Sequence, residues 1–248
     1  RAQGPPAIRA ALPDLAAVRA GTVQADAEQS QDPRTPELPI EDAKFRHLFQ
    51  ELMKSPQFAK IFKELAGLGV KIKASAEVGR PGGERPAAQY DPYTNTVEIA
   101  PEILSSRTPI TDSSTLEKIA HELKHAHQYR KISMTVKESG GGEAMRAEMI
   151  TAAIGEMGYE RFRAMSKKSE MDAEAFAIRA TLEALGESHD RLRQFRRTLG
   201  AEKTPDDYFK FMFSTWWEAN ESLYEQSIKA RWNYYLKSSE REGEQQTR

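Results

Sequence analysis

The chain has 248 residues, enough for one large domain or two small ones whose core needs no disulfide staples. Its 36 basic and 37 acidic residues leave it almost neutral, which argues against a nucleic-acid partner, and no apolar run has the length of a transmembrane segment. Cysteine is absent, so disulfide frameworks, thiolate metal sites and cysteine nucleophiles are excluded, and any metal must be held by His, Asp or Glu.

Residues 1–40 are rich in Ala, Pro, Gln and Asp, and "SQDPRTPELP" at 30–39 has a linker's composition. They read as a flexible leader, with a short helical stretch at 8–20 broken at Pro13. The chain opens on Arg1 rather than Met, so an upstream start is expected, with room for a removed signal peptide. The lack of cysteine does not fix the compartment but suits a protein that unfolds for export, and the expectation is a secreted or exported protein, the cytoplasm being the alternative.

From residue 41 the pattern turns globular. Phe45, Leu48, Phe49, Leu52 and Met53 recur at helical spacing. "SPQ" at 55–57 ends that helix and caps a second, whose buried face is Phe58, Ile61, Phe62 and Leu65 and which stops at "GLG", 67–69. "VKIKASAEV" at 70–78 alternates as a strand, "GRPGGERP" at 79–86 is a loop, and "YDPYTNTVEIAP" at 90–101 reads as a turn entering a second strand. The two strands are expected in a small antiparallel sheet. Ser114 and Glu117 match a capping box at the start of a helix over 114–131. "ESGGGE" at 138–143 is a break, and helical patterns cover about 143–165, 168–186, 188–199 and 205–237. The fold class is therefore α+β, mostly helical.

The helix over 114–131 carries three of the five histidines. On a helical wheel Leu116, Ile119, Ala120, Leu123 and Ala126 share one side. His121 and His125 share the other, one turn apart, with Gln128 beside them and Glu122 and Tyr129 on a neighbouring edge. His127 falls on the apolar side and reads as a packed or rim histidine. An i, i+4 pair brings two imidazoles to one point, as a tetrahedral zinc needs. A glutamate following the first histidine stands next to that point and can take a proton from water. The string His121-Glu122-Leu123-Lys124-His125 has the form His-Glu-x-x-His and resembles the zincin class of metallopeptidases.

Two histidines leave the site incomplete. Metzincins continue with a glycine and a third histidine, where this chain has Gln128 and Lys131, so that subclass is not expected. The remaining donors are downstream carboxylates. In "SEMDAEAFAIRATLEAL", 169–185, Met171, Ala175, Ile178, Leu182 and Leu185 form an apolar stripe, and Glu170 and Glu174 lie one turn apart on an adjacent face. Acids at a core margin need a cation or donors. Glu174, Asp172, Glu148 and Glu143 compete with Glu170 for the role of ligand.

This segment resembles the gluzincin arrangement, and in particular the "E-x-x-A-N-x-F-A" helix of a compact bacterial group. Aligned on Phe176, the resemblance implies Glu170 as third ligand and Glu174 as the residue orienting a histidine, where the family has a shorter Asp or Asn. It covers about 90–186, with 1–40 as leader and 187–248 as a helical part of the same 41–248 domain. "HELKHA" is also similar to bacterial secreted effector and toxin metalloproteases.

The resemblance implies a Zn2+-dependent endopeptidase acting on a protein or peptide, with Glu122 as general base. A non-catalytic interaction protein on the same scaffold is the alternative, and a metal-dependent hydrolase of another substrate a third. The substrate is expected to add as a strand along 94–100 if that segment is a sheet edge; an inner strand is the equal alternative. Tyr129, Tyr159 and Arg146 are candidates to stabilise the oxyanion, and 138–167 is a candidate lid or cleft wall. The aromatic residues of the last helix, Phe209, Phe211, Phe213, Trp216, Trp217, Tyr224 and Trp232, are expected to pack in the core, with a substrate pocket or a membrane surface as the alternatives.

Overall fold

The structure, a computed structural model, describes residues 43–75, 88–101 and 112–246, the side chains of 43–45 and 234–246 excepted. The leader at 1–40, the loop at 79–86 and the Phe45 side chain lie outside the described residues. The fold is α+β and mostly helical. Two short helices, α1 (Ala43–Leu52) and α2 (Pro56–Ala66), precede the strands β1 (Lys71–Ala74), β2 (Ala88–Asp91) and β3 (Thr96–Ile99). Six further helices follow: α3 (Ser113–Gln128), α4 (Arg130–Glu138), α5 (Glu143–Gly155), α6 (Tyr159–Leu185), α7 (Asp190–Leu199) and α8 (Pro205–Gln246). Among the described residues no helix is long and apolar enough to cross a membrane.

The sheet corrects the expectation of an antiparallel pair. Its order is β1-β3-β2, with β3 parallel to β1 and antiparallel to β2. The segment 94–100, read equally as a free edge or an inner strand, thus contains the central strand, and among the described strands the edges are β1 and β2. The stretch read as a turn at 90 is the end of β2. The reversal lies at 92–95, where Asp91 accepts hydrogen bonds from Tyr93 N (2.9 Å) and Thr94 Oγ1 (2.7 Å). Asn95 then takes a left-handed φ of 55°, which asparagine tolerates better than most residues.

Ser55 caps α2 as expected, its Oγ accepting from Phe58 N at 3.2 Å. The capping box at Ser114 and Glu117 does not form. Asp112 is the cap of α3, accepting from Thr115 N (3.0 Å) and Oγ1 (2.5 Å), and Glu117 pairs with Arg191 (2.7 Å). A reciprocal box starts α8, where Thr204 Oγ1 accepts from Asp207 N (3.1 Å) and Asp207 accepts from Thr204 N (2.9 Å).

The apolar face read on α3 is buried: Leu116, Ile119, Ala120, Leu123 and Ala126 have no exposed surface. They join α1, α2 and the sheet in the main core, together with Phe176, Ala177 and Ala180 of α6. The stripe read on α6 is not its most buried face. Met171, Ala175 and Leu182 are half-buried, whereas Glu170, Ala173, Ala177, Ala180 and Ala184 are buried. Small residues on both helices let α3 and α6 pack along much of their length, the most extensive contact between two elements. A second cluster joins α4, α5, the start of α6 and Ile228 of α8, and a third joins α6, α7 and Tyr208 of α8. The helical pattern expected unbroken over 143–165 stops at Gly155, and α6 begins at Tyr159 behind Gly158, so one long helix spans what reads as two.

Candidate metal centre

The packing of α3 against α6 brings three donor atoms together. His121 Nε2 and His125 Nε2 lie 3.0 Å apart, His125 Nε2 is 3.2 Å from Glu170 Oε2, and His121 Nε2 is 3.5 Å from the same oxygen. Each ligand's other polar atom is engaged. His121 Nδ1 meets Glu174 Oε2 at 3.0 Å, His125 Nδ1 meets Gln128 Oε1 at 2.8 Å, and Glu170 Oε1 accepts from Arg231 Nη2 at 3.4 Å. Gln128 is held in turn by Ser169, whose backbone oxygen accepts from Nε2 (2.9 Å) and whose Oγ donates to Oε1 (2.5 Å).

These partners set the tautomers. Glu174 and Gln128 Oε1 can only accept, so each neutral ring carries its hydrogen on Nδ1 and turns the Nε2 lone pair inward. Two lone pairs and a carboxylate oxygen then face one point, a repulsive arrangement unless something positive occupies it. Burial disfavours a charged His121, but its contacts with Glu170 and Glu174 outweigh burial and push its pKa up to about 10. Burial likewise raises Glu170, yet the two imidazoles hold it well below the usual carboxylate range. The donors also fit a metal. Four-coordinate bonds of about 2.05 Å at tetrahedral angles require ligand atoms roughly 3.3 Å apart, inside the observed spread. His121, His125 and Glu170 thus form a group that can hold a metal ion.

Glu122 stands beside this point. Its Oε2 accepts from the backbone N–H of Tyr90 in β2 at 2.7 Å. Burial pushes its pKa up, opposed by the charges of His121 and His125 and by that amide. Behind β2, Arg146 is a buried hub. It donates to Ser133 Oγ (2.7 Å), to Tyr90 Oη (2.6 Å) and, from Nε, to the carbonyl of Pro92. Tyr90 Oη donates onward to Asn95 (2.9 Å). This network fixes the strand that holds Glu122.

The donors open on a cavity of about 440 Å³. One wall is apolar, with Ile132, Ile150, Ile154, Met157, Phe162 and Met165, and α8 contributes Tyr224, Ser227 and Arg231. Residues from within 138–167 therefore do line the cleft. Of the oxyanion candidates only Tyr129 borders it. Arg146 is turned into its own network, and Tyr159 rests on Trp232 with ring centroids 5.9 Å apart. Of the competing acids, Asp172 borders the cavity but pairs with Lys168 (3.5 Å), Glu143 pairs with Lys71 (3.0 Å) on the surface, and Glu148 is exposed. His127 is a packed rim residue as expected, with Nε2 2.7 Å from Glu64.

The aromatic residues of α8 divide. Phe209 and Phe213 pack on the third cluster and Trp232 on the second, while Phe211 is 46% exposed. Trp216 belongs to neither cluster and stands 6.5 Å from the His121 ring. Sequence reasoning missed Ser169 of α6 and Arg231 of α8, while Tyr224 realises the pocket-lining alternative for the aromatic run. That run is the signal that points at the last helix, and nothing in it singles out Arg231. Comparison with protein-family models, with curated proteins and with solved structures returns no match.

Proposed function

We propose that this chain is a zinc-dependent endopeptidase of gluzincin type, secreted or delivered as an effector, with His121, His125 and Glu170 holding the zinc and Glu122 as general base. The observation that carries the reading is the convergence of three lone-pair donors beside a carboxylate that binds none of them. A site for a structural ion has no use for that carboxylate. When bound, zinc supplies Lewis acidity, lowering the pKa of a water in the site toward neutrality and drawing electrons from a carbonyl oxygen.

The chain's own groups do the rest. Glu122 takes a proton from the attacking water as the new C–O bond forms at the peptide carbon. A raised pKa suits a base that must hold that proton briefly. Glu122 then delivers it to the leaving nitrogen as the C–N bond breaks. Its anchorage to Tyr90 N keeps it aimed during both transfers. Glu174 and Gln128 fix the imidazole tautomers. The substrate strand adds to β2 rather than β3, because β2 is the edge that lines the cavity and reaches Glu122. The apolar wall suits a large apolar side chain of the substrate.

Metal analysis and proteolysis test this together. The protein is expected to bind close to one zinc and to cleave an unfolded protein substrate. Glu122→Gln should keep the zinc and lose cleavage. Bound zinc without turnover on any protein substrate would replace the peptidase by an interaction protein on this scaffold.

A further inference from the structure

The helix α8 lies outside the segment that carries the zincin resemblance, yet it reaches the metal centre. Tyr224 and Arg231, two turns apart, turn the same side of α8 to the cavity. The ring of Tyr224 is held by stacking on Trp217 (6.4 Å, 11° between planes) and against Trp216 (5.3 Å). Its hydroxyl makes no hydrogen bond among the described residues. Tyr224 borders the same cavity as His121, Glu122, His125 and Glu170, and burial keeps its hydroxyl protonated. A phenol of this kind is a donor without an acceptor, fixed at the edge of a reaction centre. Arg231 touches Glu170 Oε1 through Nη2, and its Nε, on the same edge of the guanidinium, is buried without a partner. A small shift makes that contact two-pronged, the geometry Arg163 already has with Glu225 in this structure (2.7 and 2.8 Å).

We propose that α8 completes the catalytic centre: Tyr224 donates a hydrogen bond to the carbonyl oxygen under attack, and Arg231 is the positioning residue that holds Glu170 in its ligating orientation. The Tyr224 half rests on the peptidase reading; the Arg231 half needs only a bound metal. A donor whose ring is locked before the substrate arrives stabilises developing charge without reorganising. Each of the three ligands then has its own dedicated partner: Glu174 for His121, Gln128 for His125 and Arg231 for Glu170.

The test uses the full chain loaded with zinc, and the variants Tyr224→Phe, Arg231→Gln, Arg231→Lys and Arg163→Gln. Zinc affinity is read by chelator competition, kcat and KM on a protein substrate, and binding of a peptide phosphonate as a mimic of the tetrahedral state. Tyr224→Phe should leave zinc affinity and KM unchanged, lower kcat by about 10²–10³-fold and weaken the phosphonate in parallel. Arg231→Gln should weaken zinc by about 10–100-fold, with partial recovery in Arg231→Lys. Arg163→Gln, which loosens α8 from α6 without touching the site, should leave zinc affinity unchanged. Unaltered kcat and phosphonate binding in Tyr224→Phe would overturn the first half. Zinc affinity unaltered in Arg231→Gln, or reduced equally in Arg163→Gln, would overturn the second. A wild-type chain that binds zinc and cleaves nothing overturns the Tyr224 half along with the peptidase reading, while the zinc measurement still decides Arg231.

Discussion

Two sites that set histidine beside glutamate draw on the helix α3 and behave as opposites. At His121 and His125 both Nδ1 atoms face acceptors, so both Nε2 lone pairs are free to meet a metal. One turn before His121, Glu117 faces the fully buried His189, the residue that caps α7. There Nδ1 accepts from Leu192 N at 3.2 Å, so Nε2 carries the hydrogen and points toward Glu117 Oε1 at 3.6 Å. Arg191 supplies that glutamate with its cation at 2.7 Å. Both regions bury histidine beside glutamate. The partner of Nδ1 decides which becomes a ligand set and which a structural tie.

The sharpest way to break this contrast is to truncate one ring in each cluster. His121→Ala should reduce bound zinc from about one equivalent to near zero and abolish cleavage, with the far-ultraviolet dichroism unchanged. His189→Ala should keep the zinc and lower unfolding free energy in urea by about 2–3 kcal/mol, because it strips the cap of α7 and leaves a void. Zinc loss in His189→Ala would erase the distinction. A comparable loss of stability is expected at the hub behind the site: Arg146→Met leaves the buried Ser133 Oγ and the half-buried Tyr90 Oη and Pro92 carbonyl without this donor and should cost about 2–3 kcal/mol in the same titration, with zinc affinity unchanged. A smaller effect, confined to the metal, is expected from Glu174→Ala, which frees the His121 tautomer and should weaken zinc by about 10–100-fold without shifting the urea midpoint.

The smallest effect concerns the seam between α6 and α8. Contacts with Arg163 and Lys167 hold the Glu225 pKa down to about 2, against an ordinary 4.5. A carboxylate whose pKa is lower in the folded state stabilises it above the unfolded value, and that contribution disappears as pH falls from about 4.5 through 2. The pair is exposed, so the loss should be slight and screened by salt. Urea midpoints of the parent chain and Glu225→Gln should differ at pH 6 and converge at pH 2.

The helix α3 was readable because its signals are local. His121, Glu122, His125 and Gln128 follow from helical spacing, and the acids of α6 fall one turn apart on one face. Glu170 was read at the margin of a stripe, whereas it lies on the face where alanines pack against α3. Alanine scores weakly as a core signal but permits the close helix pairing that delivers the carboxylate. The direction and order of the strands were not readable. Alternation tells which side of a strand is buried, and nothing in it distinguishes parallel from antiparallel pairing or centre from edge. The capping motif at Ser114 failed because Asp112 is a competent cap two residues earlier and Glu117 has an arginine to meet. Arg231, and the choice of Tyr224 among the aromatic residues, were not readable for a different reason. The inward positions of α8 serve the α7 cluster near its start and the α5 cluster further on, so no single stripe marks the turn facing the candidate metal centre.

That divided allegiance leaves the middle of α8 pinned rather than loose. Tyr208, Phe209 and Phe213 anchor the helix on one side of the cleft, and Ile228 and Trp232 anchor it on the other. Between them Glu221 and Glu225 meet Lys167 and Arg163 of α6. A beam held at both ends and near its centre keeps its line, so Trp216, Trp217 and Tyr224 form a wall of settled shape.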